Sequence, residues 1–254
     1  MTFETLEQFW PSFVGATIVV LVHLAAPRFR FMQNPYDVWL PASAGVAVAY
    51  VFMDIFPHLA RTQGILSEVA DGSLYGFMAH NVYFVALAGF VVYLGAALRA
   101  IMYRKTAQPS EITFASAPTT VRLEILSIVV YNAIIGYLLA EQVTHRPTPV
   151  IIFASAMAIH FVGIDSLLRE HYKLLFDQVA RFAFAAAVYA GWLIGFFGEI
   201  SDSALAILFS FLAGGIIVLA TVYEIPEIRS ERQYRPFLVG AGIFSALMLA
   251  KDFF

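Results

Sequence analysis

The residues of this chain that could do chemistry lie inside long hydrophobic stretches. They are His23, Asp54, His58, Asn132, His160 and Asp165, with Tyr131 beside Asn132 and with Glu224 and Glu227 near the end of one stretch. A carboxylate, an imidazole and an amide oxygen are all donors that divalent cations accept. Inside a membrane such groups are costly unless paired or hydrated, so each is a functional candidate. Asp54 and His58 are spaced i, i+4 and share a helix face. Asp165 follows His160 by five residues, about one turn deeper along the same helix.

Depth narrows the set. Asn132 and His160 fall near the middle of their stretches, and Asp54 a little beyond the middle of its own. At about 1.5 Å per residue these three share a layer near the midplane. They make a candidate site for one divalent cation, with His58 at its outer mouth and Asp165 as a second stop on an inward path. Plainer readings stand beside this one. His23 reads as a hydrogen-bonded packing residue and Tyr131 as a packed aromatic. Glu224 and Glu227 read as solvated at the interface, and Glu124 and Glu141 as solvated span ends.

The elements that must carry these residues are apolar and long. Eight segments, at about 9–26, 41–59, 81–102, 123–142, 149–168, 182–197, 204–223 and 237–250, are close to the roughly 20 residues that cross a bilayer core as a helix. Composition agrees: 60 % of the residues are hydrophobic and 13 % charged, against about a quarter charged in soluble chains. Mean hydropathy is +0.77. The expected fold is an all-α polytopic bundle, one transmembrane domain over 1–254. The longest polar stretch, 104–120, reads as a cytoplasmic linker, too short to build a core of its own.

Basic residues set the orientation. Twelve fall on one side of the eight-span arrangement: Arg28, Arg30, Arg99, Arg104, Lys105, Arg122, Arg169, Lys173, Arg181, Arg229, Arg232 and Arg235. Three fall on the other: Arg61, Arg146 and Lys251. The richer side should be cytoplasmic, which puts both termini outside in a multi-pass protein of the plasma (inner) membrane. A miscounted span would exchange every later loop and blur that split. The first residues carry no basic n-region, so a cleaved signal peptide is not expected. The chain has no cysteine, which excludes disulfides and thiolate metal sites.

Two segments resemble each other, YVFMDIFPHL in the second stretch and LATVYEIPEI in the seventh. Each has an acid two or three residues before a proline. Matched, proline-interrupted spans point to an internal repeat in a transporter.

On these residues the chain resembles the ZIP family of divalent metal transporters. SAGVAVAYVFMDIFPHLA looks like that family's second span and SFLAGGIIVLATVYEIPE like its seventh. YNAIIG, residues 131–136, falls where the family's fourth span has His-Asn-x-x-Asp-Gly. AIHFVGID, residues 158–165, falls where its fifth has His-Glu-x-Pro-His-Glu. The resemblance implies eight spans and outward termini. It further implies one bundle of spans one, four, five and six against another of two, three, seven and eight, and a homodimer. The sequence departs at the metal ligands. Tyr131 and Ile135 replace a histidine and an acid; Phe161, Gly163 and Ile164 replace acid, proline and bridging ligand. A single reduced site of Asp54, Asn132 and His160 is what remains.

The leading expectation is therefore a carrier of a divalent cation, zinc or another, as transported substrate with no resident cofactor. The alternatives are a sensor, scaffold or subunit that kept the fold without transport, and a carrier of a non-metal solute. No HExxH, GxSxG or paired-acid motif is present, so no enzymatic activity is expected. The basic residues are scattered loop anchors, which leaves nucleic-acid binding unsupported; lipid is the expected surrounding.

Overall fold

The structure, a computed structural model, describes residues 3–28, 38–66, 76–78, 81–106, 111–141, 147–198, 200–225, 228 and 230–250. These residues are almost wholly helical and contain no strand. In hydrocarbon every backbone N–H and C=O needs an internal partner, and a helix supplies all of them within one segment.

Eight long helices follow one another. They are α1 (Phe3–Ala25), α2 (39–66), α3 (Val82–Thr106), α4 (Thr119–Glu141), α5 (Pro147–His171), α6 (Lys173–Phe197), α7 (202–224) and α8 (Glu231–Ala250). Seven of them, α1 to α7, are long and apolar enough to cross a membrane. The eighth opens on Glu231, Arg232 and Arg235, so its apolar part is shorter. Ser201 caps α7 by accepting from the Ala204 N–H at 3.3 Å. Ser230 and Gln233 form a reciprocal start for α8, with the Gln233 N–H on Ser230 Oγ at 3.4 Å.

Several helices run beyond the expected spans and take in charged residues, α3 and α6 among them. Arg104, Lys105 and Thr106 belong to α3, so the connection to α4 is shorter than 104–120. α6 starts at Lys173, nine residues before the expected 182, because only Tyr172 separates it from α5. That corner is clamped by Arg169, whose guanidinium meets both oxygens of Asp177 at 2.7 and 3.2 Å. The charged residues that made this stretch look like a loop are the fastening of a tight helix junction.

α2 and α7 share a construction. Each starts as an α-helix and passes through a π-helical segment, Val51–Ile55 in one and Leu219–Glu224 in the other. These segments fall within the two sequence stretches that resemble each other. Gly45 and Gly214 both precede the proline of their stretch, Pro57 or Pro226, by twelve residues. A proline removes a backbone donor and crowds the turn before it.

Three helix pairs meet backbone to backbone through glycines used reciprocally. Gly45 of α2 lies on the Phe237 carbonyl of α8, and Gly240 of α8 on that of Ala42. Gly89 of α3 lies on Phe211 O of α7, and Gly214 on Ala86 O. Gly136 of α4 lies on Val188 O of α6, and Gly191 on Ala133 O. In every case the receiving carbonyl is three residues before the partner glycine, so each pair is a small two-fold contact. A Cβ at any of the six would overlap that oxygen. Between apolar helices in lipid such close approach, rather than hydrophobic exclusion, supplies the attraction. α1 packs along both α5 and α6 and completes a set of four with α4; α5 also lies along α2, which brings the two sets together.

Candidate functional site

Three buried polar clusters sit at the meeting of these helices, and they regroup the residues expected to act together. The first centres on His23 of α1, fully buried. Its Nδ1 is 2.8 Å from Asp165 Oδ2 on α5, and its Nε2 is 2.8 Å from Asn132 Oδ1 on α4. The Asn132 amide nitrogen donates to Ile128 O at 2.9 Å, one turn back on α4. This orients the amide so that its oxygen accepts, and His23 Nε2 must therefore carry a hydrogen. One further proton lies between Nδ1 and Asp165: either the imidazole is doubly protonated beside a carboxylate, or a neutral imidazole accepts from a carboxylic acid. Asp165 Oδ1 is buried and has no partner among the described residues. His23, expected to be a hydrogen-bonded packing residue, is buried with both ring nitrogens bonded and joins Asn132 to Asp165.

The second cluster joins α5, α7 and α2. His160 Nδ1 faces Glu224 Oε2 at 3.2 Å, with neither side chain exposed. Ser43 Oγ is 2.9 Å from Glu224 Oε1 and 2.9 Å from the Leu40 carbonyl, to either of which it can donate. Gly163, one turn past His160 on α5, makes this possible: a Cβ there would run into Ser43 Oγ and the Glu224 carboxylate. His160 Nε2 is buried without a partner among the described residues. Tyr131, fully buried, has its ring 6.3 Å from the imidazole and a hydroxyl with no partner among the described residues. The expectation that Glu224 is solvated is overturned, since its side chain is wholly buried. Glu227 lies outside the described residues.

Phe161 stands between the two clusters. Its ring centroid is 4.6 Å from that of His23, 5.9 Å from that of His160 and 5.7 Å from that of Tyr131. The two imidazoles thus flank one aromatic side chain at a position where the resemblance places an acid.

The remaining expected residues lie apart from this pair of clusters. Asp54 is partly exposed in the π-helical part of α2, beside Tyr50 and one turn from His58. His58 is exposed, with its ring 4.3 Å from that of Phe209 on α7. Asn132 and His160 turn toward different neighbours, His23 and Glu224. Among the described residues no three histidine, aspartate or glutamate side chains come together as a metal site.

A third cluster closes the end of the bundle where α3 and α7 finish and α4 begins. Glu124 of α4 is 1 % exposed. It accepts from Arg104 of α3 at 2.8 Å, from the Tyr172 hydroxyl at 2.8 Å and from the Tyr223 hydroxyl of α7. Arg104 also donates to the Tyr172 hydroxyl at 2.9 Å. Glu124 was expected to be solvated; instead the arginine and two tyrosines bury it with both oxygens satisfied. A buried ion pair of this kind holds only while every hydrogen bond is in place. Glu141, the other span-end acid, accepts from the Tyr137 hydroxyl at 2.8 Å. The second and third clusters are linked by adjacent residues, Tyr223 and Glu224, at the end of the α7 π segment.

His23 and Glu224 carried a signal in the sequence, an ionisable side chain in an apolar context, and Glu224 was an alternative to Asp165 at the inner mouth. Glu124 and Arg104 gave none, because a charged residue near a span end is usually hydrated. The chain has no match among protein-family models or curated proteins.

Proposed function

We propose that this protein is a membrane carrier for a divalent cation, built on eight spans with both termini outside the cytoplasm and related in design to the ZIP transporters. The observation that carries the reading is the His160–Glu224 contact. Two ionisable side chains, both fully buried, face each other from α5 and α7, which belong to different helix sets. Evolution tolerates such groups at membrane depth chiefly where they handle charge. Glu224 also supplies what the expected trio lacked: a second carboxylate, besides Asp165, to offset the charge of a 2+ ion. The space over Gly163 admits Glu224 from α7, so an acid enters from that helix where α5 has lost one to Phe161. The cation is the cargo, and His160 with Glu224 and Ser43 would receive it. The Glu124 cluster would close the route toward the basic side.

The test is uptake of zinc, cadmium, manganese and iron(II) into proteoliposomes by the wild type, His160→Ala and Glu224→Gln. Ion uptake that both substitutions abolish is the expected result. Neutral imidazole binds metal and its protonation releases it, so uptake should fall on acidification. A folded wild type that moves none of these ions would overturn the reading. A second reading, a ZIP-like fold kept for sensing or assembly, draws on the self-satisfied His23 cluster, in which both ring nitrogens are already engaged. Absence of uptake together with absence of stoichiometric metal binding would favour it.

A further inference from the structure

A groove of about 660 Å³ runs down the outside of the bundle between α2, α5 and α8, with almost no polar surface in its walls. Val46, Ile159, Val162, Ile243 and Leu247 line it, and Trp39 and Arg235 stand at one end. Gly240 forms part of its wall, where the tight α2–α8 contact leaves no side chain to fill the space. From Arg235 to Leu247 it follows α8 for about 18 Å, close to the roughly 15 Å of one leaflet's hydrocarbon. The apolar length therefore begins at a cationic mouth and ends near the midplane, which are the proportions of a phospholipid. Arg232, one turn before Arg235, is exposed on the same helix, as is Glu231 at its first position. Neither arginine makes an ion pair among the described residues. Trp39 is an amphipathic ring of the kind found at headgroup level. Behind the groove, Ile159 and Val162 belong to the α5 turn that carries His160.

We propose that this groove is a binding site for one anionic phospholipid of the leaflet on the basic side, with an acyl chain laid along α8 and its phosphate on Arg235. The occupant is a lipid rather than a second copy of the chain because the groove is apolar along its length, one leaflet deep and positively charged only at its mouth. The site is independent of whether the protein transports an ion. A lipid seated there would touch the α5 turn bearing His160, so its presence would favour one packing of α5 against α2.

The experiment is native mass spectrometry of the full chain in detergent, titrated with phosphatidylglycerol or with phosphatidylcholine of the same acyl chains. A single phosphatidylglycerol adduct, formed in preference to phosphatidylcholine, is expected. Arg235→Gln should weaken that adduct about fivefold, the effect of one basic side chain at a charged membrane surface, and leave phosphatidylcholine binding unchanged. Val239→Trp, at a lipid-exposed position of the groove wall, should displace both lipids. Equal binding of the two lipids, or a phosphatidylglycerol adduct indifferent to Arg235→Gln, would overturn the proposal. So would efficient disulfide formation between chains carrying Val239→Cys in membranes, since a second copy would then occupy the face.

Discussion

Gly163 is where a single hydrogen atom decides the chemistry of the centre. An alanine there would press its methyl group into Ser43 Oγ and the Glu224 carboxylate, which would have to shift from their places beside His160. Gly163→Ala should cost about 1–3 kcal/mol by overpacking, read as a lower midpoint of thermal unfolding in detergent, and should lose uptake with it. An unchanged midpoint would show that Glu224 does not occupy that space. Glu124 tests the opposite case, loss of a buried partner. Glu124→Ala strands Arg104, which is only 10 % exposed, and should cost about 3–5 kcal/mol. Tyr223→Phe removes one of three donors and should cost about 1.5–3 kcal/mol. Equal effects from both would mean that the arginine is hydrated and the cluster is not closed.

Close helix pairs are the unit of stability at the next scale, and α8 offers a controlled comparison. Gly240 lies on the α2 backbone, whereas nothing stands within 4 Å of a Cβ built at Gly242. Gly240→Ala should therefore split the α2–α8 pair and lower the unfolding midpoint. Gly242→Ala, two residues away on the same helix, should raise stability by about 0.5–1 kcal/mol by restricting the unfolded backbone. If both behave alike, the backbone contact with α2 is not made. The π segments matter at this scale too. The one at the end of α7 delivers Tyr223 to α4 and Glu224 to α5, so a change that loosens the Glu124 cluster will also shift the carboxylate facing His160.

For the whole molecule the decisive quantity is the side on which each connection lies. The absence of cysteine makes the native chain its own background for labelling. Ser116→Cys, in the exposed connection between α3 and α4, should react with a membrane-impermeant maleimide only from the cytoplasmic face. Ser201→Cys, exposed at the start of α7, should react only from the outside. Reaction of both from one face would change the number of spans between them from three to an even number and remove the eight-span orientation.

Hydropathy and spacing are local, and the sequence alone was enough to determine what depends on them: an all-helical chain, the approximate place of every long helix, its membrane setting and the paired proline stretches of α2 and α7. It also identified Asn132, His160 and Asp165 as residues buried in an apolar environment. Their partners could not be found that way. Depth along a helix follows from counting residues, but the direction in which a side chain points depends on how helices rotate and approach, and here glycine contacts such as Gly136 on Val188 set that. Only the tertiary structure therefore joined Asn132 to His23 and brought Glu224 over Gly163 to His160. The same packing turned Glu124 from an apparent surface acid into a buried one, because Arg104, Tyr172 and Tyr223 arrive from three other parts of the chain.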